Sequence, residues 1–173
     1  MPMLERALPC VLALVLACDP APAAAPPQAV APAAPVPAGT LEIVSEDQIR
    51  AMLTEKHPGK ARIVNFWAMW CQPCIAELPS LGAFAAQRPD VELVLVNLDL
   101  ASRRDRIVGF AGQRGVGGAR LLTLDSSDPV SAIARAVPGW PNAIPVTWVF
   151  RADGTVAARF ARSVDHEDLA KHL

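Results

Sequence analysis

The 173-residue chain contains no apolar run of 18 or more residues, and so offers no transmembrane helix. It also lacks a basic excess: Lys and Arg number 16 against 17 Asp and Glu, for a formal charge of −1. Nucleic-acid binders gather positive charge on one face, so that class is set aside. No glycine-rich nicotinamide or flavin fingerprint occurs, which leaves any redox chemistry to the side chains themselves, with no cofactor expected. Internal repeats are absent, cysteines number only four, and the length suits one domain.

What is present is unevenly spread. Hydrophobic residues make up 52% and the mean hydropathy is +0.27. Much of that excess is alanine in the first 39 residues, which also hold more than half of the 17 prolines. The remaining 134 residues carry 15 basic and 15 acidic side chains, a neutral segment long enough to bury a core.

Residues 1–18 read as an export signal. An apolar run from Ala7 to Ala17 is too short to span a bilayer but suits a signal-peptide core. Val15-Leu16-Ala17-Cys18 resembles the lipobox of bacterial lipoproteins, which implies a lipidated Cys18 and anchoring to the cytoplasmic membrane. Cleavage at the A-x-A-like sites Ala21-Pro22-Ala23 or Ala23-Ala24-Ala25, giving a soluble secreted protein, is the alternative. Residues 19–39 are almost entirely Ala and Pro. Proline fixes φ and removes donors, so this linker favours extended chain with a reach on the order of 60 Å.

From Thr40 the pattern becomes globular. Helices are expected at 46–53, 71–87, 102–112, 129–137 and 165–173, and strands at 61–67, 91–98, 120–124, 146–150 and 155–160. Val91–Leu98 is continuously apolar, as in a strand covered on both faces. Arg151-Ala152-Asp153-Gly154 between the last two strands signals a hairpin. Early alternation and a late hairpin predict an α/β domain over 40–173, with a mixed central sheet and helices on both faces.

Within that domain the only cysteines are Cys71 and Cys74, in Trp70-Cys71-Gln72-Pro73-Cys74. A C-x-x-C that follows a strand and opens a helix is a redox dithiol arrangement. Unpaired N–H groups and the helix dipole favour a thiolate on the first sulfur, and Pro73 fits an early turn that needs no donor there. Lowering a thiol pKa from about 8.5 to about 7 raises its thiolate fraction at pH 7 roughly 16-fold. Lower intrinsic nucleophilicity takes back about 5-fold of this, so the larger gain is a better leaving group. Cys71 is therefore assigned as the attacking thiol and Cys74 as the resolving one, acting at high effective concentration.

The stretch Val64-Asn65-Phe66-Trp67-Ala68-Met69-Trp70-Cys71-Gln72-Pro73-Cys74-Ile75-Ala76-Glu77-Leu78-Pro79 resembles the active-site segment of TlpA/ResA-type thioredoxin-fold proteins. The resemblance covers about residues 40–173. It implies a membrane-tethered thiol–disulfide oxidoreductase facing away from the cytoplasm, several of whose relatives act as reductases in cytochrome c maturation. Protein disulfides or thiols would be its clients, a membrane thiol carrier its electron donor, and a monomer its state. Asn65 stands where thioredoxin carries a buried acid, and Glu77 matches the acid that tunes the cysteines in the TlpA/ResA group. Ile144-Pro145 resembles the cis-proline loop that faces the dithiol and, with Trp70 and Pro73, borders the substrate groove. Ala161 departs from the glycine often found after the last strand.

Each signal has a plainer counterpart. The C-x-x-C alone also fits half a zinc site, but no second cysteine pair exists in the domain and His57, His166 and His172 are scattered, so zinc is set aside. It also fits an inert disulfide. Glu77 fits a solvated first-turn acid, and Pro145 an ordinary trans loop proline. Arg103, Arg104 and Arg106 read as a solvated helix face. Reduction of protein disulfides is the preferred activity. An oxidase or isomerase on the same fold, a one-cysteine peroxidase, and a non-catalytic binding module are the rivals.

Overall fold

A computed structural model describes residues 39–56 and 58–173. Residues 1–38, on which the expected export signal, the expected lipidation at Cys18 and all but the last residue of the expected linker fall, lie outside the described residues, as does His57. Among the described residues no helix is long and apolar enough to cross a membrane.

The chain alternates β1 (Leu41–Val44), α1 (Glu46–Thr54), β2 (Ala61–Trp67), α2 (Gln72–Ala86), β3 (Val91–Asn97), α3 (Arg104–Gln113), β4 (Arg120–Leu124) and α4 (Pro129–Ala136). It closes with the hairpin β5 (Val146–Phe150) and β6 (Val156–Phe160), then α5 (His166–Ala170). The strands form one six-stranded sheet in the order β1-β4-β3-β2-β5-β6. The first four are mutually parallel, while β5 runs antiparallel to β2 and β6 antiparallel to β5. With this strand order, the right-handed rule for parallel crossovers assigns α2 and α3 to one face and α1 to the other. Helix α4 packs against α1, and α5 against α2. The mixed sheet covered on both faces is the thioredoxin-like architecture.

Local sequence accounts for most boundaries. Ser45 caps α1 through a reciprocal box with Gln48, and Asp128 caps α4 with Pro129 in its first turn. β2 is buried at every position, as a central strand covered on both faces must be. In the hairpin, Gly154 takes φ 80° and Thr155 N–H donates to Asp153 Oδ1 at 2.9 Å.

Two elements differ from the sequence reading. β1 was not expected: four residues carry too little periodicity, and the strand exists because its backbone pairs with β4 from Leu41 to Val44. The third helix begins as a 3₁₀ turn at Ala101–Arg103 before α3. The side chains of Arg103, Arg104 and Arg106 are exposed, yet Arg104 Nη2 donates to the Leu41 carbonyl at 2.9 Å and so ties this helix to β1.

Candidate active site

The C-terminal ends of the parallel strands β2 and β3 place their following loops side by side, the edge at which open α/β sheets present ligand sites. β2 ends at Trp67, and a tight turn closed by Cys71 N–H to the Ala68 carbonyl (3.1 Å) leads into α2. Cys71 is the N-cap of that helix. Its sulfur accepts from Cys74 N–H at 3.3 Å, one of the donors a helix start leaves unpaired. The two sulfurs are bonded, with their Cα atoms 5.3 Å apart.

The two cysteines are not equivalent. Cys74 is fully buried, whereas Cys71 reaches a groove of about 360 Å³ that Cys74 does not line. Trp70, Pro73, Leu98, Val130, Trp140 and Ile144 form most of its wall, and no charged side chain lines it. Trp70 is 56% exposed, so its ring stands as a free flank beside the disulfide. Trp140 meets Phe66 edge-on at 5.3 Å, while Trp67 and Trp148 lie in the core.

The Ile144–Pro145 peptide is cis, and the Ile144 carbonyl oxygen lies 3.7 Å from Cys71 Sγ. Pro145 does not form part of the groove wall. It is buried, immediately before β5 begins at Val146.

Under the disulfide lies a polar network on the inner face of α2. Cys74, Glu77, Leu78 and Leu81 recur at helical spacing and are all buried. Glu77 is thus not a solvated first-turn acid. Its Oε1 accepts from Asn65 Nδ2 at 2.8 Å, and its Oε2 accepts from Val164 N–H at 3.0 Å. Asn65 also donates to Thr147 Oγ1 at 2.9 Å across the β2–β5 pair. Burial pushes the Glu77 carboxyl above the ordinary value of 4.5, against the opposing pull of the Val164 N–H and the Asn65 amide. Among the described residues Asn65 Oδ1 has no hydrogen-bond partner.

Sequence reasoning did not find Gln72, Leu98, Val130, Asn142 or Ala143 as groove residues, nor Thr147 and Val164 as partners around Glu77. Leu98 and Val130 read only as generic apolar positions, and the Val164 contact is a backbone one that no side-chain pattern records. Asn142, with φ 55°, is a residue type that tolerates the left-handed conformation this loop requires.

The sequence matches the Redoxin family model over residues 31–173. The thiol:disulfide interchange protein DsbE homolog of Paracoccus denitrificans is 30% identical over 119 residues, covering 65% of this chain and 56% of that protein. The thiol-disulfide oxidoreductase ResA of Geobacillus thermodenitrificans is 25% identical over 133 residues, covering 76% and 71%. A secreted thiol-disulfide isomerase from Corynebacterium glutamicum superposes with a TM-score of 0.54 at 25% identity, over 66% of this chain and 69% of that one. The chain spans 56% and 60% of the length of two interchange proteins that it matches, the DsbE homolog and HelX of Rhodobacter capsulatus. By the family match and by its fold, the chain belongs to the Redoxin family, as a thioredoxin-fold protein of the TlpA/ResA type.

Proposed function

We propose that this chain is a thiol–disulfide oxidoreductase that reduces protein disulfides outside the cytoplasm through Cys71 and Cys74. The observation that carries the reading is the asymmetry of the pair: Cys71 opens on the uncharged groove, and Cys74 is sealed beneath it. In the reduced protein the Cys71 thiolate attacks one sulfur of a client disulfide and forms a mixed disulfide, releasing the client's other sulfur as a thiolate. Cys74 then attacks Cys71 Sγ, and the second client sulfur leaves. Two electrons pass to the client, two protons complete its thiols, and the protein is left with the Cys71–Cys74 disulfide.

Glu77 is proposed to tune this exchange. When ionised, a carboxylate buried one helical turn from Cys74 opposes a second negative charge there, and the raised pKa of Glu77 makes it a ready acceptor for the proton that Cys74 must lose. The Ile144 carbonyl and the Trp70 ring are proposed to align the client chain at Cys71. Reduction is preferred because Gln72-Pro73 between the cysteines and Glu77 resemble the reductase members. A membrane thiol carrier would restore the dithiol, and Cys18 would hold a monomer near it through a lipid. Relatives named as interchange proteins and as a ResA protein support the class of reaction. The secreted isomerase of similar fold supports disulfide shuffling as the second reading.

The test is trapping. Cys74→Ser is expected to accumulate a mixed disulfide with a protein client, while Cys71→Ser forms none. Equal trapping by the two variants, or trapping by Cys71→Ser alone, would overturn the assignment.

A further inference from the structure

Asp99 is buried, with 3% of its surface exposed, and it stands two residues beyond the end of β3. An acid just before a helical turn commonly caps it, but the 3₁₀ turn that follows receives no side-chain cap hydrogen bond. The carboxylate points instead towards the redox loop. Its Oδ2 accepts from Met69 N–H at 2.8 Å, thirty residues away in sequence.

The surroundings hold that oxygen in place. Asn97 Nδ2 donates to the same Oδ2 at 3.1 Å, and Asp99 N–H donates to Asn97 Oδ1 at 2.8 Å. Thr123 Oγ1, on the neighbouring β4, reaches the carbonyls of Asn97 and Asp99 at 3.2 and 3.1 Å. Arg103 Nη1 lies 3.7 Å from Oδ1 and offsets the charge from the solvent side. Burying an anion is costly unless it is hydrogen-bonded and paired, so a carboxylate built in this way is tied to what it holds.

What it holds is the turn that carries the chemistry. β2 and β3 stay paired through Leu98 N–H to the Trp67 carbonyl at 2.9 Å, and Asp99 then takes over with the Met69 bond. Two residues on, Cys71 N–H closes on the Ala68 carbonyl. The backbone on either side of Trp70 is therefore pinned, although the Trp70 ring is free. We propose that Asp99 is a positioning residue for Cys71: by gripping Met69 it sets where the Trp70 ring and the Cys71 sulfur stand against Ile144. The inference rests on the oxidoreductase reading above.

The experiment uses the full chain with Asp99→Ala and Asp99→Asn. Asparagine keeps an oxygen that can accept from Met69 N–H; alanine keeps none. Two quantities are read: the rate constant for exchange with a peptide disulfide, and protection of the Met69 amide from hydrogen exchange. Asp99→Ala is expected to slow exchange on the order of tenfold, since small misplacements of reacting atoms are costly, and to expose the Met69 amide. Asp99→Asn is expected to restore both to within about threefold. If Asp99→Ala does not fold, Asn97→Ala loosens the same oxygen and should show a smaller loss of both. A wild-type rate in Asp99→Ala, or equal losses in the alanine and asparagine variants, overturns the proposal. A wild-type protein that fails to exchange disulfides sinks the oxidoreductase reading instead, and Met69 protection then still decides whether Asp99 grips the turn.

Discussion

Glu77 Oε1 accepts a 2.8 Å hydrogen bond from Asn65 Nδ2, joining the inner face of the redox helix to the central strand beneath it. The contact brings together an acid three residues past Cys74 and an amide in the middle of β2. It makes the buried acid and the buried sulfur parts of one layer, so changes there should be felt in both stability and redox chemistry.

The first expectation concerns pH. Burial raises the folded-state pKa of Glu77, so the native protein holds its proton more tightly than the unfolded chain does. The sign follows by linkage: the contribution is most favourable below the unfolded value of about 4.5 and is lost as pH rises towards the folded value. Glu77→Gln should remove that part of the slope. Denaturant midpoints over a pH series above 4.5 should fall less steeply in the variant, and parallel curves would contradict the expectation.

Asn65→Ala should act on the same carboxyl. It removes one of the two protein hydrogen bonds to Glu77 and the bond to Thr147. Stability is expected to drop by about 1–3 kcal/mol, the usual cost of leaving a buried polar group unpaired. The pH at which Glu77 titrates should also rise, because a bond to its charged form is lost.

Gly82 offers a test remote from the sulfurs. A Cβ there would lie 2.4 Å from the Gly115 carbonyl oxygen, where α2 passes the loop after α3. Alanine favours a helix over glycine by up to about 1 kcal/mol. Backbone overlap in a packed interior costs about 1–3 kcal/mol, so Gly82→Ala should destabilise despite the better helix former. An unchanged urea midpoint would contradict this.

Trp70→Ala should separate binding from folding. The ring is 56% exposed, so its loss should move stability by no more than about 0.5 kcal/mol. It flanks the groove at Cys71, so KM for a peptide disulfide should rise while the denaturation midpoint stays put.

Much of this was legible in the residues, because the signals were local. The bounds of β2, Ala61–Trp67, show in the sequence because β-branched and aromatic residues dominate that run despite Arg62 and Asn65. The redox pair stood out because a C-x-x-C between a strand and a helix is an arrangement of neighbours in sequence. β1 was not legible: its four residues acquire a strand's identity only from β4, which lies some eighty residues later. Nor was Asp99. Its partner Met69 contributes a backbone N–H, and nothing in the side-chain pattern distinguishes that amide from any other. Glu77 lay between these cases. Its position was suspect, but its burial depends on Asn65 and Val164, which the fold brings in from 12 and 87 residues away.

The central claim, that the Cys71–Cys74 couple is a reductant of protein disulfides, is tested most directly by its reduction potential, measured by equilibration with a thiol buffer. A reductant of protein disulfides should show a value near or below about −230 mV, towards that of thioredoxin. A value of about −120 to −180 mV would contradict it and place the protein among disulfide oxidants or isomerases.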